Sequence, residues 1–213
     1  MIPAFVQALN QSLKKDLPGF KAQATMLISR LRTPEFAKGF KLPENHRLAA
    51  VMVLVYSKKG IWHTALMERA PSPYPHSRQI SFPGGRYEVS DSSLEFTALR
   101  ETEEEFGINR EKMQVLNKLT PLYISASNYL VHPFIAYMES APSFTPDKSE
   151  VAEILEIPLE HLMDENRKKR SNMDMAGGRT LKHVPYFDLA NRSVWGATAM
   201  ILSEFIAVLK SVN

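Results

Sequence analysis

The feature that most constrains the fold of this chain is an amphipathic helix expected at residues 94–106. The segment contains good helix formers and neither Pro nor Gly. Ser92 followed by Glu95 matches a capping box before the helix, and Gly107 suits the position just past its end. The pattern therefore predicts a helix with one face directed at a core.

The two faces of this helix differ in chemistry. At about 100° per residue, one side carries Leu99, Thr102 and Phe106. The opposite side carries three carboxylates: Glu101, Glu104 and Glu105. Like charges three and four residues apart repel, and the negative end of the helix dipole adds to the penalty. Either these residues hold a hard divalent cation, for which carboxylate oxygens are natural ligands, or they form an ordinary solvated helix face.

A Phe-Pro-Gly-Gly stretch at residues 82–85 precedes the helix. It cannot continue a helix, and its glycines let the backbone approach a ligand closely. A carbonyl or amide of Gly84 or Gly85 is then able to face the same cation or its phosphate. Taken alone, the stretch is typical of an ordinary turn. Its fixed distance from the acid helix makes the ligand interpretation more specific.

Together, residues 85–108 resemble a Nudix box. The family pattern is a Gly, five residues, Glu, seven residues, then Arg-Glu, a hydrophobic residue, any residue, Glu-Glu, any residue, Gly and a hydrophobic residue. The matching positions in the second half are Arg100, Glu101, Glu104, Glu105, Gly107 and Ile108. In the first half, Asp91 replaces the Glu, and eight residues rather than seven separate it from Arg100; Thr102 also replaces a bulkier hydrophobic residue. The expanded spacing and the preceding Phe-Pro-Gly-Gly are similar to the coenzyme A pyrophosphatase subgroup.

The residues upstream of the box match that subgroup in part. Arg69 follows a strand-like run, and His76 and Gln79 lead into the Phe-Pro-Gly-Gly stretch at the subgroup's spacing. Three positions differ, since Ala70, Tyr74 and Arg78 stand where the subgroup has Ser, Arg and Gly. Arg78 either restores the missing positive charge near a substrate phosphate or alters the loop. The substrate is thus suggested by the resemblance but not fixed.

The resemblance implies an α/β fold, a Nudix-type α/β/α sandwich around a mixed sheet. Strands are expected at residues 47–56, 62–68, 115–125, 129–138, 151–157 and 180–188. Helices are expected at residues 3–15, 21–32, 94–106, 159–164 and 193–210. Residues 1–45 are interpreted as an N-terminal helical extension and residues 46–213 as the Nudix hydrolase domain.

The composition of the chain fits a cytoplasmic enzyme. Its 213 residues, 44% of them hydrophobic, are enough to bury a sizeable core. Cysteine is absent from the sequence, so disulfides and thiolate metal sites are excluded. The sequence shows neither a membrane-spanning apolar run nor a secretory signal. We therefore expect a soluble protein of the cytoplasm that does not bind membranes.

The formal net charge of +3 makes the protein modestly basic. Because the predicted catalytic helix is acidic, positive charge is concentrated elsewhere, including Arg86 and the run at residues 167–170. Such surfaces attract polyphosphates, although the run at 167–170 is more typical of a solvated loop, next to a hairpin tip or lid at residues 173–178. The basic residues are scattered and not interleaved with aromatic ones, so nucleic-acid binding is not expected.

The resemblance implies specific roles for the acid helix and the glycines. Glu101, Glu104 and Glu105 are expected to hold one or more Mg²⁺ or Mn²⁺ ions, with the Gly84 carbonyl as a further ligand. Arg100 is expected to orient these carboxylates by a charge-assisted hydrogen bond.

The proton acceptor in catalysis is expected to be either Glu101 or Glu150. Glu150 lies just ahead of the strand expected at residues 151–157, with Glu153 behind it. It is equally compatible with an exposed loop acid. The residues expected at the substrate phosphates are Arg69, Arg78 and Gly85.

These assignments imply metal-dependent hydrolysis of a pyrophosphate bond in a nucleoside diphosphate derivative. The first-choice substrate is coenzyme A or an acyl-CoA, giving 3′,5′-ADP and (acyl-)4′-phosphopantetheine. One alternative is a pyrophosphatase for ADP-ribose, a dinucleotide or a capped nucleotide. Another is a non-catalytic Nudix nucleotide-binding module, against which the full acid set argues. The resemblance is compatible with a homodimer, although no residue in the sequence demonstrates one.

Overall fold

The computed structural model of the chain describes residues 2–28, 42–73, 77–175 and 178–212. The helices are α1 (Ala4–Ser12), α2 (Gly19–Gln23), α3 (Leu94–Phe106), α4 (Leu159–Met163) and α5 (Gly196–Lys210). The strands are β1 (Arg47–Lys58), β2 (Ile61–Arg69), β3 (Ile80–Ser81), β4 (Gly84–Arg86), β5 (Gln114–Lys118), β6 (Leu122–Ile124), β7 (Tyr129–Met138), β8 (Val151–Pro158), β9 (Lys168–Met175), β10 (Arg179–Leu189) and β11 (Arg192–Trp195).

A mixed eight-stranded sheet forms the centre of the fold. Its main path runs β3-β2-β1-β7-β5, while β4 pairs with β1, β6 with β7 and β8 with β2. β1 and β7 are parallel, with Arg47 opposite Tyr129 and Ala49 opposite Val131. β1 and β2 form the predicted hairpin, and its two-residue turn has positive φ at both Lys59 (52°) and Gly60 (79°), as a type I′ turn requires.

Both faces of the central sheet are covered. Along β1 the side chains alternate, so Val53 and Val55 join one core while Met52 and Leu54 join the other. The first core includes residues of α1 and α5, and the second includes Ala98 and Phe106 of α3. The predicted mixed α/β architecture, with helices on both faces of a mixed sheet, is therefore confirmed. The strand and helix bounds at β1, β2, α3, β7, β8 and α4 agree with the expected ranges to within two residues.

The N-terminal helix α2 is attached to α5 through a buried carboxylate. Glu204 is 0% exposed. It accepts hydrogen bonds from the Gly19 amide (3.1 Å), the Gln23 side chain (2.8 Å) and the Thr120 hydroxyl (2.7 Å). A buried carboxylate is tolerated because these donors replace water. One side chain thus connects the N-terminal segment with the loop between β5 and β6.

Several expected elements differ in the structure. Residues 168–175, whose basic part was expected in a loop, form strand β9, because Lys169 reaches Asp188 at 2.6 Å and the ladder with β10 satisfies the backbone. The strand expected at residues 115–125 is divided into β5 and β6, which both pair with β7. The helix expected at 3–15 is limited to Ala4–Ser12.

The predicted start of the C-terminal helix at residue 193 is wrong. Arg192–Trp195 is a strand that pairs with β10, and the helix begins at Gly196. The turn between the two strands has positive φ at Ala190 (49°) and Asn191 (59°), a conformation that Ala rarely signals in a sequence. Of the helix expected at 21–32, Gly19–Gln23 is helical and Ala24–Met26 is a 3₁₀ turn, while residues 29–32 lie outside the described part of the chain.

Candidate active site

A cavity of about 370 Å³ lies between the glycine strand β4, the acid helix α3 and the ends of β1 and β7. Its polar side is lined by residues that the sequence selects for the site: Arg69, Gly84, Gly85, Glu101, Glu105 and Glu150. The remaining lining residues are Ala49, Arg86, Ile124, Ser127, Tyr129 and Val131. Catalytic and substrate-binding candidates from distant parts of the sequence are therefore brought to one cavity.

The helix α3 is fixed at both ends by local sequence. Ser93, and not the predicted Ser92, is the N-cap residue, and its hydroxyl accepts from the Phe96 amide at 3.1 Å. Ser92 has the same chemistry, but Ser93 immediately precedes the first helical residue and has an extended backbone (φ −165°). Gly107 ends the helix with φ 65°, as predicted.

Arg100 is held by a two-point ion pair with Asp91. Its Nε lies 2.8 Å from one Asp91 oxygen, and its Nη2 lies 3.0 Å from the other. Asp91 also accepts from the Thr97 hydroxyl (2.9 Å) and the Glu88 amide (3.0 Å). The Arg100 guanidinium holds the pKa of the buried Asp91 carboxyl far below its usual range. Asp91, which stands where the box pattern has Glu, therefore anchors Arg100.

The same guanidinium contacts two of the helix glutamates. Arg100 Nη1 donates to Glu101 (3.0 Å) and to Glu104 (3.1 Å). Glu101 borders the cavity and its pKa is raised, chiefly because burial penalises the charged form. Glu104 is 58% exposed and is not among the residues that line the cavity. The three acids of the helix thus have different surroundings.

Glu105 is the most buried of the three, with 2% of its surface exposed. Its carboxylate accepts from the Gly84 amide at 2.8 Å and lies 3.5 Å from Arg69 Nη1. Burial raises its pKa to about 8, although the Gly84 hydrogen bond and Arg69 oppose the shift. Glu101 and Glu150 add to the rise through their own charges. Burial is therefore the main cause of the raised pKa of this carboxylate.

The glycines of β4 are required by close packing. Gly84 has φ 146°, and a Cβ there would overlap the Ala50 carbonyl of β1. A Cβ on Gly85 would overlap the Glu101 carboxylate. The backbone of β4 is thereby pressed against the acid side of α3. This contact explains why glycine precedes the helix at a fixed distance.

Glu150 lies where the sequence predicts, one residue before β8. Its carbonyl accepts from the Ala70 amide at 2.8 Å, which fixes the backbone beside Arg69. Its side chain lines the cavity with Glu101 and Glu105. Glu153, the alternative to Glu150 as the loop acid that accepts the proton, instead binds Arg192 at 2.9 Å. The two acids are thus separated into different environments.

Arg78 is not brought into the cavity. Its side chain is 67% exposed and lies 3.5 Å from Glu68, which also binds Arg192 at 3.0 Å. Its backbone has φ 58°, a left-handed conformation in which the subgroup's Gly carries no strain. The structure therefore pairs Arg78 with an acid on the face of β2 opposite the cavity side chain Arg69. Tyr74 and His76 lie outside the described residues.

Sequence reasoning did not select Tyr129, Ser127 and Ile124 as site residues. They come from the β6–β7 turn region, which joins the cavity because β7 lies parallel to β1. No local motif marks this wall, since the parallel pairing links residues about eighty positions apart. The only local signal is the turn before Tyr129, where Asn128 has φ 57°.

The residues around the cavity fit a hard cation. Glu101, Glu105 and Glu150 supply oxygen atoms only, which are the ligands that hard cations prefer, and burial raises the pKa of Glu101 and of Glu105 because it penalises their charged forms. Among residues 2–28, 42–73, 77–175 and 178–212, no three His, Cys, Asp or Glu side chains already stand close enough to hold an ion. Glu101 is turned to Arg100, and Glu105 to Gly84 and Arg69, so binding requires that these carboxylates reorient.

The helices within the described part of the chain were also compared with the length and hydropathy of membrane spans. None of them is long and apolar enough to cross a bilayer.

Known proteins resemble the chain in sequence. A NUDIX domain model matches residues 46–175. The protein named uncharacterized Nudix hydrolase NudL of Photorhabdus laumondii is 32% identical over 164 residues, covering 77% of this chain and 86% of that protein. Its namesake from Yersinia pestis strain Pestoides F is 35% identical over 137 residues, or 64% and 67% of the two chains. The solved NUDIX domain of Shewanella oneidensis NrtR complexed with ADP ribose aligns with 61% of this chain and 84% of that chain, at 20% identity and a TM-score of 0.46. The chain therefore belongs to the Nudix family of pyrophosphohydrolases.

Proposed function

We propose that the protein hydrolyses the pyrophosphate bond of a nucleoside diphosphate derivative in a reaction that depends on Mg²⁺ or Mn²⁺. The observation that carries the proposal is the convergence of Glu101, Glu105 and Glu150 on one cavity beside Arg69. A pyrophosphate is protected from water by its own negative oxygens, so its hydrolysis needs positive charge and an activated nucleophile. A divalent cation supplies charge neutralisation and Lewis-acid activation of water when it is bound.

The side chains of the cavity divide the remaining tasks. Glu101 and Glu105 are proposed to hold the cation, with Glu104 and the Gly84 carbonyl as further ligands. Arg100, anchored by Asp91, orients Glu101 and Glu104. Arg69 borders the cavity and is the cationic side chain proposed to contact a substrate phosphate. Gly85 has no side chain, so the backbone of β4 leaves space for that phosphate.

Glu150 is proposed to accept the proton of the attacking water. Its support is its location in the cavity and its exposure to solvent, since a general base must reach water and release the proton afterwards. Glu101 is the second choice. Burial raises the pKa of Glu101, although its hydrogen bond with Arg100 at 3.0 Å opposes that shift.

Coenzyme A or an acyl-CoA is the proposed substrate, with 3′,5′-ADP and (acyl-)4′-phosphopantetheine as products. The support is the Phe-Pro-Gly-Gly stretch together with the one-residue expansion before Arg100. ADP-ribose or a dinucleotide is the alternative, since the acid helix contacts only the pyrophosphate. The exposed position of Arg78, away from the cavity, weakens its assignment to the substrate phosphate. We also propose that the protein is cytoplasmic, because it lacks cysteine, and homodimeric, on family resemblance alone.

The substrate proposal is tested with a panel of coenzyme A, acyl-CoA, ADP-ribose and dinucleotides in the presence of Mg²⁺ or Mn²⁺. Products are identified by mass spectrometry. Release of 3′,5′-ADP and 4′-phosphopantetheine is the expected result. Preferential turnover of ADP-ribose or a dinucleotide would establish the alternative. If no compound is hydrolysed but one binds, the non-catalytic module is the better description.

A further inference from the structure

Part of the cavity wall is apolar and has no part in the proposed hydrolysis, although Ser127 and Arg86 also line the cavity. Ala49 and Val131 lie opposite each other on the parallel strands β1 and β7, and both are buried. Ile124 and the ring of Tyr129 continue this wall. A wall of small aliphatic groups beside an aromatic ring is poorly suited to a phosphate, which requires hydrogen-bond donors or cations. It suits a flat, largely neutral part of the ligand.

The side chain of Tyr129 is fixed in position by contacts with Arg47 and with the core. The guanidinium carbon of Arg47 lies 4.2 Å from the centre of its ring. Arg47 also donates to the Ser127 carbonyl at 2.7 Å, and its backbone amide donates to the Asn128 carbonyl at 2.8 Å. The half-buried ring packs against the main core. Because Arg47 covers one face of the ring and Tyr129 itself borders the cavity, the ring is a pre-organised stacking surface.

We propose that the ring of Tyr129, backed by Arg47, is the surface on which the nucleobase of the substrate stacks. This inference rests on the proposed function, because it takes the ligand to be a nucleotide. Every nucleobase presents a π face that stacks on an aromatic side chain, whatever its pattern of hydrogen-bond donors and acceptors. The cavity then has a carboxylate side for the pyrophosphate and an aromatic side for the base. A flexible acyl or pantetheine arm lacks the planar face that this rigid ring matches.

The test compares two ligands that carry the same phosphate and differ by the base. AMP and ribose 5-phosphate are titrated into the full-length protein with Mg²⁺ present, and binding is followed by calorimetry or ligand-observed NMR. The wild type is expected to bind AMP about 10- to 100-fold more tightly than ribose 5-phosphate. Tyr129→Ala should remove this preference by weakening AMP alone. Tyr129→Phe, which keeps the ring, should retain it, and Arg47→Ala should reduce it partly.

Each contrary result has a defined meaning. Equal binding of AMP and ribose 5-phosphate by the wild type overturns the proposal, as does an unchanged preference in a Tyr129→Ala protein whose circular dichroism is native. If Tyr129→Ala weakens 4′-phosphopantetheine and not AMP, the ring contacts the other arm and the proposal is wrong. Because these are binding measurements, a base preference that depends on Tyr129 is separable from hydrolysis. Loss of turnover for every substrate would overturn the proposed function and leave this result standing.

Discussion

Asp91 and Arg100 form a two-point ion pair in which the guanidinium Nε and Nη2 lie 2.8 and 3.0 Å from the two carboxylate oxygens. The remaining Nη1 of Arg100 reaches Glu101 and Glu104. Asp91 therefore determines where the arginine stands, and the arginine determines how two helix carboxylates point. In this chain a shorter acid coincides with one additional residue before Arg100, and the two side chains are in direct contact.

We expect Asp91→Ala to destabilise the protein by about 3 kcal/mol, because it leaves the largely buried Arg100 without its main counter-ion. For a chain of this size, that corresponds to a fall in Tm of roughly 6–12 °C. Differential scanning calorimetry measures it. Glu88→Ala is the control, since the exposed Glu88–Arg86 pair at 3.5 Å should contribute less than about 1 kcal/mol. Equal effects of the two substitutions would contradict the anchoring role.

Because Glu105 is buried, we expect the metal-free protein to lose stability as the pH rises. Its pKa is about 8 when folded, against an ordinary value of 4.5. The folded state thus keeps a proton that the unfolded state has released, so this contribution is complete below about pH 4.5 and is lost by pH 8. The raised pKa of Glu101 acts in the same direction. Asp91, whose pKa is lowered, stays ionised in this window and does not offset the loss.

Urea unfolding at pH 5, 6.5 and 8 in the presence of a chelator measures this dependence. Glu105→Gln should flatten the slope, and Glu104→Gln, at an exposed position, should leave it nearly unchanged. A stability that rises with pH across this window in the wild type, or an unaltered slope in Glu105→Gln, would show that the charge of Glu105 is compensated by other groups.

Gly85→Ala is expected to impair hydrolysis more than stability. The new methyl group would overlap the Glu101 carboxylate and force it to move, while the backbone of β4 can keep its conformation. Turnover and Tm are measured together. Gly60→Ala is the matched control, because its Cβ would meet nothing within 4 Å, although φ of 79° adds strain of roughly 1 kcal/mol. Normal turnover in Gly85→Ala would mean that the approach of β4 to Glu101 is not needed.

Metal binding should distinguish the helix glutamates. In the wild type, Mg²⁺ at a hundred times its Kd should stabilise the fold by about 2.7 kcal/mol. Glu101→Gln should weaken this effect more than Glu104→Gln, because Glu101 lines the cavity and Glu104 is mostly exposed. Thermal shift at graded Mg²⁺ and Mn²⁺ concentrations gives the comparison. A larger loss in Glu104→Gln would place the ion outside the cavity.

Much of the carboxylate side of the cavity is predictable because its signals are local. The spacing of Gly84 and Gly85 from Glu101 and Glu105 lies within one stretch of sequence, and the structure brings these residues together. Glu150 could be selected because it stands directly before a recognisable strand. In each case, the residue and the element that positions it are neighbours along the chain.

The residues that escaped prediction depend on long-range contacts. Tyr129 reaches the cavity only through the parallel pairing of β7 with β1, and a parallel pair leaves no turn in the sequence. Glutamate is a residue type that usually lies on the exposed face of a helix, yet Glu204 is buried against the N-terminal segment. Arg78 stands beside the motif, but its side chain lies near Glu68 and not in the cavity, because a position beside a motif does not fix where a side chain points.

The most direct test of the proposed chemistry is the turnover of Glu105→Gln on the best substrate of the panel, at saturating Mg²⁺ or Mn²⁺. Glutamine keeps the size of Glu105 and removes its charge, so the circular dichroism and unfolding cooperativity should remain native. We expect kcat to fall by more than about a hundredfold. Turnover close to that of the wild type, in a folded protein, would contradict the assignment of a metal-pyrophosphate site to this cavity.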